Sequence, residues 1–349
     1  MVVTMALLHP FNRTARTTRA LQPLDGAPLP ADDEVLLDAP DDRLGHALVA
    51  AARGEHGPAA ALLAGTRGSA DWEMRDRNAR RLAAFARSRP EWLQRWTAAD
   101  PHDPDLLLVR AQLEVDRAWD SPARAELLRE VSPLITAAAR GDDRDPVPWR
   151  IALDHARGTR AGHKYFGELW EAALRRAPHH YGCHVAALRY LSESWQGSHS
   201  ECFDFADLAA QDALPDSLIQ ALPSRAALAC LTDGDGSGSG SVPRARLHAA
   251  ADRAIALSAR FPVADPWPSP IRNKLMYVLF RLERWQEALT EAHRIGPCAT
   301  SFPWDRLSDD PLAHFLRVRG EIRARAAGAP PPSGHPRSER GGRAASGDH

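Results

Sequence analysis

Apolar positions along the chain recur at helical spacing. Leu44, Leu48 and Ala52 fall on one face of a first segment, and Trp92, Leu93 and Trp96 line one face of a later one. From Asp41 to about residue 326, such segments alternate with short breaks carrying Pro or Gly. The pattern predicts helices over 72–87, 104–118, 122–139, 161–177, 179–193, 199–212, 216–231, 243–260, 270–283, 285–295 and 309–326. Gly54 and Gly57 are expected to stop the run that starts at Asp41. No segment alternates four or more β-branched or aromatic residues with polar ones, and no Asn-Gly or Asp-Gly turn joins two such runs. The fold class is all-α.

Two flanks and one internal stretch depart from this pattern. Residues 1–40 are rich in Pro, Gly and Asp without sustained periodicity and read as a loosely ordered N-terminal arm. Residues 41–326 form the α-helical repeat domain. Residues 327–349 hold Pro, Gly, Ser and Arg but no large apolar side chain, so they cannot offset the entropy of ordering and read as a disordered tail. Residues 233–241, a Gly/Ser run, read as a flexible loop.

Within the domain the chain resembles itself. Trp96 precedes an Ala-Ala-Asp-Pro turn, the run Leu106-Leu107-Leu108-Val109 and Trp119. Trp170 precedes Ala172-Ala173-Leu174, Pro178, the run Val185-Ala186-Ala187-Leu188 and Trp195. A third copy passes through Ala254, Pro262 and Leu275-Met276-Tyr277-Val278-Leu279 to Trp285. Two helical pairs per interval imply an elementary unit of roughly 34–45 residues. One helix pair cannot cover both of its apolar faces, so neighbouring pairs are expected to stack and share a core. Trp119, Trp195 and Trp285 would be structural residues at the ends of pairs.

The segment from Tyr277 to Leu289, where an aromatic precedes a helix with Ala288 inside it, resembles the tetratricopeptide repeat. Trp170 to Leu174 followed by Pro178 resembles the end of such a unit, although the period is irregular and the Gly of the first helix is missing. That resemblance implies a solenoid of antiparallel helix pairs. The stretch Ser194 to Ser198, followed by Phe203, Phe205 and Ala206, is similar to a Trp-x-Gly-Ser signature of uncharacterised bacterial proteins with a helical domain of unknown function. It implies a fold and no activity. Gly197 and Ser198 suit a tight turn and a helix N-cap.

Composition narrows the function classes. The formal net charge is −1, with 44 basic and 45 acidic residues, which speaks against a nucleic-acid or anionic-membrane footprint. All of the basic residues except Lys164 and Lys274 are arginine, a codon bias typical of high-GC bacterial genomes. Four scattered cysteines are too few for a disulfide framework. The start, at Met1 or Met5, carries no basic region or cleavage site, and no apolar run reaches the ~18–20 residues that span a bilayer. The expected setting is cytoplasmic.

Candidate chemistry is sparse. His180 and His184 lie at i, i+4, and His199 and Cys202 at i, i+3 on the next helix, so the four could bind a metal if the two helices face each other. This supports an alternative reading as a metal-dependent module or enzyme centred on residues 179–202. Asp233 and Asp235 begin like a calcium loop, but its twelfth position falls on Arg244, where a carboxylate is needed. There is no Gly-x-Ser-x-Gly elbow and no phosphate-loop lysine, and no sequence motif implies a cofactor. Trp149, Trp267 and Trp304 each lie near Pro in expected loops and could form an apolar partner-binding patch. The leading expectation is a non-enzymatic scaffold that binds a peptide or helix of a protein partner on a helical-repeat surface.

Overall fold

The computed structural model describes residues 28–195, 197–232 and 242–328. Among these residues sixteen α-helices follow one another: α1 (Asp42–Ala52), α2 (Gly57–Gly68), α3 (Trp72–Ser88), α4 (Glu91–Ala99), α5 (Pro104–Trp119), α6 (Arg124–Ala139), α7 (Val147–Gly158) and α8 (His163–Arg176). The second half holds α9 (Tyr181–Tyr190), α10 (His199–Asp212), α11 (Leu222–Thr232), α12 (Arg244–Ser258), α13 (Ser269–Arg281), α14 (Trp285–Ile295), α15 (Ser301–Trp304) and α16 (Pro311–Gly328). The all-α reading holds. Among the described residues the only strands are the two-residue β1 (Leu36–Leu37) and β2 (Cys298–Ala299), which pair in parallel.

Local chemistry sets many helix starts. Asp41, Asp71, Asp103 and Ser198 each accept a backbone N–H of the first turn of α1, α3, α5 and α10. Pro104 and Pro148 occupy first-turn positions where no N–H is needed. Ser198 is the cap that the sequence implied. Gly197 permits a close approach, since a Cβ there would lie 2.3 Å from the Leu191 carbonyl oxygen.

Two helices differ from the sequence expectation. Gly57, read as a stop, opens α2, and Val147-Pro148-Trp149, read as a loop, opens α7. Each holds a proline in its first turn, so the residue that punctuates the sequence also starts a helix.

Each of α3, α5, α7, α9, α11 and α13 touches the next in that order, and the helices between them pack alongside. One apolar core joins α1 to α7, a second fills the space from α9 to α16, and a small one lies between α7, α8 and α9. Arg75 of α3 binds the first core together: its guanidinium lies 2.7 Å from Asp105 and 2.6 Å from Asp145, and it donates to the Leu63 carbonyl. All three charged side chains are buried.

The helices also meet across the middle. Helix α3 touches both α7 and α9, and Arg77 donates to the Trp267 carbonyl at 2.7 Å. Residues 32–38, expected to be loosely ordered, clasp the C-terminal half. Leu36 donates to Pro297 O and Asp38 to Ala299 O, while the Asp38 carboxylate accepts from Ser301 and pairs with Arg81. Arg319 of α16 pairs with Asp32. These partners lie far away in sequence, where no local pattern reports them. Residues 1–27, the Gly/Ser run 233–241 and the tail beyond Gly328 lie outside the described residues.

Candidate functional site

The helices that touch in succession bring charged side chains to a common seam. On α3, Asp76 and Arg80 stand at i, i+4; on α7, Arg150, Asp154 and Arg157 stand at i, i+4, i+7 and share a face. Arg150, fully buried, lies 2.6 Å from Asp76 and 3.4 Å from Asp154. Burial pushes the Asp76 carboxyl up, but Arg150 and Arg80 beside it outweigh that and hold it far below the carboxylate range. Asp154 has more than one claimant. Besides Arg150, it lies 3.7 Å from Arg157 and 3.8 Å from Arg189 of α9.

Beyond Asp154 the positive charge is no longer matched. Arg225 of α11 and Lys274 of α13 form no ion pair among the described residues, and both flank the Tyr181 hydroxyl. Burial, then the nearby Arg225 and Arg189, drives the Lys274 amine well below its usual range. Glu73 lies beside Tyr181 as well, its Oε1 accepting the Tyr181 N–H at 2.5 Å. Burial raises Glu73 to about 8, so it is largely neutral near pH 7.

A cavity of about 380 Å³ opens onto this cationic end. Arg157, Arg189, Arg225 and Arg306 line it, and no carboxylate among the described residues does. Its walls are aromatic and aliphatic, with Trp195 and Phe302 the largest. The Arg225 guanidinium lies 4.5 Å from the Phe302 ring centre. Arg157 stacks 3.9 Å over Trp119 and 4.9 Å from Trp195, and the two indoles meet edge to face at 5.3 Å. Such stacking holds a guanidinium in place and leaves its N–H edge available. The arrangement can bind an oxyanion attached to an apolar body.

The four proposed metal ligands do not gather. His180 caps α9 by accepting the Cys183 N–H, and the same Nδ1 lies 3.1 Å from Cys183 Sγ. His184 Nδ1 donates to the His180 carbonyl at 3.0 Å, His199 pairs with Glu193 at 2.9 Å, and Cys202 Sγ donates to the Leu188 carbonyl. No group of three or more His, Cys, Asp or Glu is placed to hold a metal ion among the described residues.

The tryptophan patch is not assembled either. Trp304 lies in the core with no exposed surface, donating to Asn273 at 3.0 Å, so it cannot serve as a surface contact. Trp149 sits on α7 beneath Arg176, and Trp267 stacks under Arg77 at 4.3 Å. Of the tryptophans expected at the ends of pairs, Trp119 and Trp195 pack together beside the cavity, and Trp285 packs against Phe280.

Sequence reasoning missed Arg157, Arg189, Arg225 and Arg306. The Arg150-Asp154-Arg157 spacing was a usable signal for the first of them; the others come together only through the packing of α9, α11 and α15. A second, wider groove of about 1020 Å³ lies between α1, α2 and α3. Asn78 lines it, 1 % exposed, with neither amide atom hydrogen-bonded among the described residues.

No protein-family model, no curated protein and no solved structure matches the chain.

Proposed function

We propose that this chain is a non-enzymatic interaction protein, a tetratricopeptide-like solenoid of antiparallel helix pairs that receives an anionic segment of a protein partner in the Arg-lined cavity. The observation that carries the reading is the lining itself, four guanidiniums and, among the described residues, no carboxylate in a concave site with aromatic walls. The serial contacts of α3, α5, α7, α9, α11 and α13 support the solenoid, since repeat units contact chiefly their neighbours. Isolated surface arginines would attract any anion weakly. In a concave site the same charges converge on one anion and their field is less screened than on open surface.

Titration with labelled oligoglutamate and oligolysine peptides tests the reading. Saturable binding of the acidic peptide alone is expected, weakening as salt rises and falling at least tenfold in an R225E/R306E double variant. Equal binding of both peptides, or binding that the double variant leaves intact, would refute it.

A further inference from the structure

Resting on that reading, we infer that the group this cavity is built to hold is a phosphate monoester whose organic body lies against Trp195 and Phe302. The first support is charge. Arg157 and Arg189 share a single carboxylate, Asp154, which also serves Arg150. Half-buried Arg225 forms no ion pair among the described residues, and buried Lys274 lies behind it with only a phenol as its hydrogen-bond partner; Arg306 is at the exposed rim, beside Asp305. Interior cations without counter-charge are costly to hold, and a bound dianion offsets that cost more fully than a monoanion.

The second support is direction. The guanidiniums come from α7, α9, α11 and the turn after α15, that is, from four separate stretches of backbone around one cavity. A carboxylate presents two oxygens in one plane and is satisfied by one arginine fork. A phosphate monoester presents three terminal oxygens in a tetrahedral array and accepts donors from several sides.

The third support is the wall. Leu188, Ala226, Pro303 and Leu307 join the two aromatic rings in lining the cavity. Free phosphate would leave that apolar surface uncovered. The volume lies within the range of small-molecule sites, roughly 300–1,000 Å³. The same chemistry is found in a small aromatic phosphate and in a phosphorylated side chain of a partner protein.

Calorimetric titration with phenyl phosphate, inorganic phosphate and benzoate separates the contributions of charge and body. Phenyl phosphate should bind at least tenfold more tightly than either of the others. Its affinity should rise with pH as the phosphate loses its second proton near about 6. R306Q, at an exposed position, should weaken phenyl phosphate and inorganic phosphate alike by at least threefold. W195L should weaken phenyl phosphate and leave inorganic phosphate unchanged, with circular dichroism confirming the fold of each variant. Further titrations with adenosine monophosphate and with a phosphotyrosine peptide then identify the source: preference for either supports the phosphate assignment.

Benzoate binding as tightly as phenyl phosphate would overturn the inference. So would a failure of all phosphates to bind while oligoglutamate still does, and that result would leave the interaction reading standing. If neither phosphates nor oligoglutamate bind, both fall together.

Discussion

The Lys274 ammonium donates to the Tyr181 hydroxyl at 2.6 Å, joining α13 to α9 inside the protein. Lys274 is 2 % exposed, and the charges that act on it are Arg225 and Arg189. Its folded pKa therefore lies below the unfolded value, and between the two the unfolded chain binds more protons. Stability should rise with pH across that interval. K274M removes the buried amine and should stabilise the fold at pH 7 by about 1–3 kcal/mol, with the slope lost. Urea denaturation at several pH values measures both; a destabilised K274M would show instead that the Lys274–Tyr181 bond outweighs desolvation.

Glu73 and His180 titrate in opposite senses. Burial lowers His180 to about 4, so below its ordinary 6.5 the unfolded chain gains a proton that the folded chain refuses. Stability should fall as pH drops from 6.5 towards 4. Burial raises Glu73 to about 8, so its contribution is full below 4.5 and is lost as pH rises through 8. E73Q should flatten the alkaline limb and leave the acid limb in place. Thermal melts of E73Q that parallel the parent chain from pH 5 to 9 would show that Glu73 ionises normally.

Arg75 holds Asp105 and Asp145 in a buried triad. Removing the cation leaves buried Asp145 with only the Val147 N–H and buried Asp105 with only Arg67. R75A should cost about 3–5 kcal/mol in chemical denaturation, far more than loss of an exposed pair such as Arg117–Glu114. A loss under about 1 kcal/mol would mean that water enters and solvates the acids.

Asn78 offers the converse case. Both of its amide atoms are buried and unpaired, so N78L should raise stability by about 1–2 kcal/mol by removing groups that are desolvated without compensation. A drop in melting temperature would refute this and point to ordered water on the amide.

Helices with one clear apolar stripe were legible from the residues alone. α10 and α14 lie where the spacing put them, at 199–212 and 285–295. The misses trace to residues with two structural uses. Gly57-Pro58 and Val147-Pro148 look like breaks, yet the proline sits in a first turn, where its missing N–H costs nothing. Trp304, beside Pro303, looked exposed for the same reason; in the fold it packs against Tyr277 and Phe315.

The candidate site was hidden by averaging. Acidic and basic residues nearly cancel over the whole chain, so composition argues against any electrostatic footprint. In space they separate: Asp76 and Asp154 are surrounded by Arg80, Arg150, Arg157 and Arg189, and the surplus cations gather around one cavity. That separation depends on which faces of α7, α9 and α11 meet, and helical periodicity alone does not fix it.

The parallel pairing of Leu36 with Cys298 fastens the segment before α1 to the segment after α14. The same clasp holds Asp38 against Ser301 and Asp32 against Arg319. An insertion between α1 and α14 would therefore be felt at this clasp, far away from it in sequence.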